Sequence, residues 1–564
     1  MVEGCMAVTA EGGSTVFQWI ADNEVGALAR IKTPFGVKPL IYADYTASGR
    51  SLVAVESLLN NQVRPFYANT HSESSYTGSQ TTGWREAARA MIKKAVNANA
   101  SDRLLFCGSG ATAAINRLIQ LLGLEKGGQA CTGKESDKGE NCPVVFIGPY
   151  EHHSNELPWR ESVAKVVTIP LNSKGQIDCD VLEAQLKKYA DRPLLIGSFS
   201  AASNVTGTIS DVPGVTKILK QYGALACWDY AAAAAYCPID MNGVHALDAV
   251  FISTHKLPGG PGTPGLLIAK ASLFRNSRPG MPGGGTVSFV SPDNHHYLAD
   301  LERKEEGGTP AIIESIRAGL VFSIRSQLDM TQVNGLELKL ARRVIQRLSQ
   351  HPDIEIIGDH SNPRLPIISM RLWHQGRQLH YGYVVSLLND LYGIQARGGC
   401  SCAGPYAHHL LGIDTEESRQ LLQAMQDGDT VLRPGWVRIN FTYFMNEEVI
   451  EYLLSAIEAL ATHAINLLPD YHYNKVRGTW DHVQAVQPDL PDLSQLDWLK
   501  QSEENVKNTT NGAFPRTDLT SFLHAAHKAL DKSKPRNNRS TLGLSPVSKP
   551  NERLRWFWVA SDFE

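Results

Sequence analysis

A chain of 564 residues exceeds what one hydrophobic core can organise, so two or three domains are expected. Hydrophobic residues at 43% and charged residues at 20% are ordinary for a soluble globular protein. The net charge of −3 gives no basic footprint for nucleic acid or an anionic membrane surface, and no apolar run is long enough to span a bilayer. The polar, acidic opening MVEGCMAVTAEGGST lacks the regions of a signal peptide. Nine cysteines, odd in number and scattered, argue against a disulfide framework, so a reducing, cytoplasmic setting is expected.

The chain divides into an N-terminal segment (1–40), a large unit (41–315), a smaller α+β unit (316–474) and an irregular tail (475–564). In the large unit, RLLFCG (103–108) leads into ATAAINRLIQLL (111–122), whose apolar residues recur at helical spacing. The runs VVFIG (144–148), VVTIPL (166–171), PLLIGSFS (193–200), LACWD (225–229), AVFIST (249–254) and GLLIAK (265–270) follow, with helical VLEAQLKKYA (181–190) and VTKILKQYGA (215–224) between them. Near-continuous apolar strands alternating with helices predict an α/β fold with a mostly parallel sheet covered on both faces. Ligands bind such sheets where the carboxyl ends of strands run into loops. The polar insert 127–143 reads as a surface loop, and a long helical pattern begins around 315–350. Beyond 475, turn formers and polar residues dominate. The sequon at Asn508 is not expected to be used without a secretory signal. RLRWFWVASDF (553–563) is apolar and aromatic and is expected to dock on the body as a terminal strand.

Four segments carry chemistry. In FISTHKLPGGPGTPG (251–265), Lys256 follows a buried strand and precedes a glycine-rich loop. In an apolar pocket it would lose affinity for its proton and become a nucleophilic amine, although a lone lysine more often just opens a surface loop. Asp229 closes the strand LACWD, where a carboxylate can pair with a protonated ring nitrogen or simply cap the next turn. CGSGATAAIN (107–116) puts glycines and small hydroxyl residues at a strand-to-helix junction, a setting that favours phosphate. In RGGCSCAG (397–404), Cys400 and Cys402 sit one residue apart, with His408 and His409 downstream. Zinc sites usually draw ligand pairs from separate segments, and a disulfide between these cysteines would close a strained ring. Two buried thiols and a nucleophile both remain open.

YADYTASGRSL (42–52), FCGSGATAAIN, GPYEHHSNELPW (148–159), SAASNVTGT (200–208), WDYAA (228–232), STHK (253–256), EEGGTP (305–310), RGGCSCAG and WVRINFTYFMNEE (436–448) occur in this order. The series resembles the class V aminotransferase family of pyridoxal-phosphate enzymes, most closely its cysteine desulfurase and selenocysteine lyase branch. The resemblance implies a PLP-dependent transferase of fold type I over about residues 38–470. It implies that Lys256 forms the Schiff base, that Asp229 partners the pyridinium, and that His152 stacks on the ring. Asn204 would lie near the ring hydroxyl and the substrate carboxylate, and Arg438 would hold that carboxylate. Thr112, Ser253 and His255 match phosphate-binding positions, and Thr309 matches a threonine that reaches the phosphate of a neighbouring subunit, implying a homodimer. Arg397, Gly399, Cys402 and Ala403 fall on the desulfurase pattern Arg-x-Gly-x-x-Cys-Ala, which would make Cys402 the nucleophile that attacks the sulfur of cofactor-bound L-cysteine and becomes a persulfide, with Arg397 favouring its thiolate. No metal is implied. The short spacing from Arg397 to Cys402 matches the subclass that passes sulfur to a separate acceptor protein. Two departures bear on the substrate: Ala232 replaces the family glutamine three residues after the pyridinium aspartate, and Asp-Tyr-Thr-Ala-Ser replaces the usual Asn-Ala-Ala-Thr. An aminotransferase, epimerase or C–S β-lyase with Cys402 as bystander is the alternative, and a non-catalytic sulfur-transfer scaffold a second.

Overall fold

The computed structural model describes residues 13–70, 72–126, 142–486, 488, 490, 494, 518–532 and 545–563; most of the insert (127–141) and Asn508 lie outside these. All seven β-rich runs read from the sequence form strands of one sheet: β1 (Asp102–Cys107), β2 (Val144–Ile147), β3 (Lys165–Thr168), β4 (Leu195–Ser200), β5 (Leu225–Asp229), β6 (Ala249–Ser253) and β7 (Gly265–Lys270). Their order is β1-β7-β6-β5-β4-β2-β3. Strand β7 runs antiparallel to β1 and β6, and every other pair is parallel. Strands β1 to β6 therefore point the same way, and their carboxyl ends share one edge of the sheet.

Strands β2, β4 and β6 are buried along their whole length, as the near-continuous apolar runs require. Successive side chains alternate between two cores, because strand side chains point to opposite faces. Phe146, Val250 and Ile252 pack on one face, and Val145, Ile147 and Phe251 on the other. Helix α1 (Gly110–Leu121) covers the second face through Ala114, Ile115 and Leu118. Helices α2 (Cys179–Lys188) and α3 (Val212–Gln221) are started by aspartate caps: Asp178 accepts from Val181 N–H and Asp211 from Gly214 N–H, each at 3.0 Å.

The long helical pattern beyond 315 is cut in two, α4 (Ile312–Arg325) and α5 (Met330–Leu348). Asp329 makes the break: its carboxylate accepts from Thr331 and Gln332 N–H, so it serves as a cap better than as a helix interior residue. A second sheet follows, β8 (Ile354–Ile356), β9 (Ile367–His374), β10 (Arg397–Gly399) and β11 (Trp436–Asn440), ordered β8-β9-β11-β10 with antiparallel pairs. Helix α6 (Tyr381–Tyr392) packs against it, and α7 (Gly404–Leu411) follows the RGGCSCAG loop.

The second core departs from the expected segmentation at both ends. Ile41 and Ala43 pack inside it, and Ile41–Tyr42 pairs with Ile394–Gln395, so the chain enters the second core just where the large unit was expected to begin. The tail also contributes. Helix α8 (Leu519–Lys532), which the polar composition beyond 475 hid, buries Leu519, Ala526 and Leu530 there. The terminal segment docks as expected but not as a strand. Its one β contact is an isolated bridge from Phe557 to Gln378, flanked by 3₁₀ turns at Lys549–Leu554 and Ala560–Phe563. Aromatic packing holds it: Trp556 stacks on His380 with centroids 5.2 Å apart, and Phe557 is fully buried. Asp429 anchors it further, accepting from the N–H and Oγ of Ser548 and from Asn551 Nδ2.

Phe557→Ala should cost about 3–5 kcal/mol of stability through lost burial and a residual cavity. Urea denaturation checks this, and an unchanged midpoint would mean the docked tail is not part of the core.

Candidate active site

A cleft of about 220 Å³ opens at the carboxyl edge of the larger sheet. It is lined from the large unit by Gly110, Thr112, His152, Asn204, Asp229 and Lys256, and from the second unit by Arg397, Cys402 and Arg438. Of the residues singled out in the sequence, Ser253 and His255 also line it. Thr309 does not: it is exposed elsewhere, its Oγ1 accepting from Asn69 Nδ2 at 3.1 Å.

Gly110 opens α1 with a φ of 58°, a left-handed conformation that glycine adopts without penalty. A Cβ there would lie 2.9 Å from Ser253 Oγ, so this corner must be glycine. Ser253 Oγ accepts from Ala111 N–H at 3.0 Å, tying the helix start to the end of β6. Thr112 Oγ1 and Ser154 Oγ lie 2.6 Å apart. Burial beside Lys256 pushes His255 down to about 4, so its ring is neutral. Hydroxyls, a neutral imidazole and a helix N-terminus converge here, a donor set suited to a phosphate.

Lys256 ends a 3₁₀ turn that follows β6, and its amine makes no hydrogen bond to the described residues. Burial pulls its affinity for a proton down to about 8, with Asp229 opposing that fall and Arg438 and Arg397 adding to it. Asp229 is 3% exposed at the end of β5, the strand beside β6, and accepts from Ala231 N–H at 2.8 Å. Burial raises its carboxyl, and the nearby ammonium holds the rise back. Burial also lowers His152 to about 3, and its Nδ1 accepts from Ser154 N–H, leaving the ring proton on Nε2. Glu151, beside His152 in the motif EHHSN, has a part that no sequence pattern announced. It lies fully inside the protein and accepts from Gly148 and Ser200 N–H, Ser200 Oγ and Asn155 Nδ2. It thereby locks the ends of β2 and β4, which carry His152 and Asn204.

The RGGCSCAG loop reaches the cleft from the second unit. Ser401 and Cys402 both have a φ of 56°, where a side chain is strained by about 1–2 kcal/mol per residue. Four contacts hold the loop in that shape. Asn204 Nδ2 donates to Ser401 O at 2.7 Å, Trp436 Nε1 to Ser401 Oγ at 3.3 Å, His153 N–H to Cys402 O at 2.8 Å, and Gly404 N–H to His153 Nε2 at 2.9 Å. Cys402 emerges exposed and Cys400 half-buried, both as free thiols. His408 is held away from them, with Nδ1 on Gly404 O and Nε2 on Ser418 Oγ. Cys107, Cys179, Cys227 and Cys237 are free as well, while Cys142 is disulfide-bonded, a bond that the scattered cysteines do not lead one to expect.

Arg438 is 3% exposed on β11, donating from Nη1 to Asn204 O at 3.0 Å and from Nη2 to Asp44 Oδ1 at 2.9 Å. Its Nε is buried with no hydrogen-bond partner. Arg397 Nε donates to the other oxygen of Asp44 at 3.0 Å, so the arginine expected to favour the Cys402 thiolate has a carboxylate partner instead. Sequence reasoning quoted the motif that holds Asp44 but not this pairing, which joins positions more than 350 residues apart. The methyl of Ala232 lines the cleft near Asp229.

Residues 41–453 match the family described as Aminotransferase class-V. The chain is 30% identical over 373 residues to a cysteine desulfurase of Salmonella agona, covering 65% of this chain and 85% of that protein. It is 27% identical over 371 residues to a probable cysteine desulfurase of Halalkalibacterium halodurans, with the same shares covered. Among solved structures, a cysteine desulfurase from Thermococcus onnurineus in its apo form superposes with a TM-score of 0.62 at 24% identity, over 75% of this chain and 95% of that one. A cysteine desulfurase from Escherichia coli gives 0.59 at 22%, over 75% and 94%.

Exposure orders the thiols by reactivity. Limited treatment with iodoacetamide followed by peptide mass spectrometry should label Cys402 first, Cys400 more slowly, and Cys107, Cys227 and Cys237 only after unfolding. Equal labelling of Cys227 and Cys402 in the folded protein would contradict this geometry.

Proposed function

The chain belongs to the class V aminotransferase family, in the branch that holds the cysteine desulfurases, and we propose that it converts L-cysteine to L-alanine while leaving a persulfide on Cys402. The observation that carries this reading is the meeting in one cleft of Lys256, its proton affinity lowered to about 8, with an exposed thiol, Cys402, held by the second unit.

The residues fit pyridoxal phosphate as cofactor. Gly110, Thr112, Ser253 and His255 form a cradle with room for a phosphate, Asp229 offers a buried carboxylate for a ring nitrogen, and His152 offers a neutral ring to stack on. When bound, the cofactor supplies a carbonyl for amine capture and a sink for the electrons of the substrate α-carbon.

The protein's own residues do the rest. Arg438 receives the α-carboxylate: it lines the cleft, and Nη1 and Nη2 each carry a second N–H beyond those given to Asn204 and Asp44. Asn204, fixed between Ser401 and Arg438, keeps the carboxylate site and the cysteine loop in register. Lys256, once free, takes the α-proton, a task for which a base titrating near 8 is matched to neutral pH. The Cys402 thiolate attacks the substrate sulfur: the new S–S bond forms as the C–S bond breaks, and its electron pair stays on carbon until a proton completes L-alanine. Cys402 is left as the persulfide.

Exposure of Cys402 supports onward transfer of that sulfur to an acceptor protein. Thr309, remote from the cleft of its own chain, supports a homodimer in which it serves the cleft of a second copy. No helix among the described residues is long and apolar enough to cross a membrane. The free thiols favour a cytoplasmic location, and the disulfide at Cys142 weighs against it.

The protein incubated with L-cysteine and a reductant should release alanine and sulfide in equal amounts, with the product lost in Cys402→Ala. Pyruvate that survives this substitution would identify a β-lyase instead. Arg438→Lys should raise KM by about tenfold or more through loss of the planar fork. Capture of added pyridoxal phosphate should rise with pH through about 8, as the Lys256 amine deprotonates, and vanish in Lys256→Ala; visible absorbance follows both.

A further inference from the structure

Asp44 belongs to the opening motif YADYTASGRSL. Its setting is a conflict between two like charges. Arg397 and Arg438 stand directly opposite each other on the antiparallel pair β10 and β11, where like charges destabilise a sheet. A single carboxylate lies between them, one oxygen 2.9 Å from Arg438 Nη2 and the other 3.0 Å from Arg397 Nε. Both guanidiniums line the cleft with Lys256 and Cys402, whereas Asp44 does not; it stands behind them with a side chain 13% exposed. The substrate therefore meets two guanidiniums whose combined charge has been cut to about that of one. Arg438 still has the second N–H of Nη1 and of Nη2 to offer, which is enough for one carboxylate.

We propose that Asp44 determines specificity: by cancelling one of two guanidinium charges, it limits the receptor to amino acids with a single carboxylate and keeps out those with a second acidic group. The proposal rests on the reading of Arg438 as the α-carboxylate receptor. Asp44 acts through the arginines and does not touch the substrate. Without its charge, Arg397 would turn an unneutralised fork toward the cleft, and a second carboxylate is the ligand that such a fork takes best. An uncharged side chain, such as that of cysteine or alanine, gains nothing from the change.

The test compares cofactor-loaded wild type, Asp44→Asn and Asp44→Glu. Dissociation constants for L-alanine and L-aspartate come from the visible absorbance of the holoenzyme, with calorimetry as a second readout. Asp44→Asn should strengthen L-aspartate binding relative to L-alanine by about tenfold or more, the scale of one freed charge at a partly screened site. Asp44→Glu, which keeps the charge, should hold the wild-type ratio. A clamp of purely structural value would weaken both ligands together, and an unchanged ratio in Asp44→Asn overturns the proposal. So does a wild type that binds neither amino acid. L-cysteine turnover by the wild type, measured alongside, reports separately on the desulfurase reading: its absence with the ratio shift intact would sink that reading and leave Asp44 as the charge filter of a different amino-acid enzyme.

Discussion

The common direction of β1 to β6 is the constraint on which the rest of this molecule depends. Parallel neighbours bring their carboxyl ends to one edge, and Thr112, His152, Asn204, Asp229 and Lys256 all lie at or after such ends. Adjacency in the sheet, rather than in sequence, then sets the chemistry. Strands β5 and β6 are neighbours, so the carboxylate that ends one lies near the amine that follows the other. Each makes burial of the other tolerable, and the compromise is an amine ready to lose its proton near neutral pH. The antiparallel β7 returns the chain beside β6, and the glycine-rich stretch between them forms the loop that begins at Lys256.

A sheet edge alone leaves the cleft open on one side, and the second unit completes it. Its contribution is strained: two consecutive residues in the left-handed region are unusual outside glycine and persist only where the surroundings over-determine them. Here the surroundings belong to the other unit, through Asn204 and His153. The thiol's position is therefore a property of the contact between units. The strain sits at the exposed thiol, Cys402, and at Ser401 before it.

The larger sheet was legible because burial on both faces writes itself as runs of apolar residues, and all seven runs became strands. The cleft residues on strand ends were legible for the same reason, since motif and strand end coincide. Three things were not. Asp329 breaks what reads as one helix, because capping strength competes with periodicity. Helix α8 was hidden in a polar region: its buried face, Leu519, Ala526 and Leu530, is narrow and its surroundings are rich in turn formers. The Asp44 pairing was invisible because it joins residues far apart in sequence, and no periodicity encodes which carboxylate will settle between two arginines. Thr309 was read as serving a neighbouring subunit, a role that one chain does not test; among the described residues its hydroxyl meets Asn69.

The docked tail makes support of the cysteine loop depend on residues far along the chain. Trp556 stacks near Tyr381 as well as on His380, and the ring of Tyr381 lies against Gly398, where a Cβ would sit 2.7 Å from it. Strand β10, which leads into the thiol loop, thus rests on a ring that is itself covered by a residue far further along the chain. Until Phe557 and Val559 have been made, the large unit can bury both faces of its sheet while the second core is incomplete. A nascent chain then has its buried lysine in place before its exposed thiol is braced.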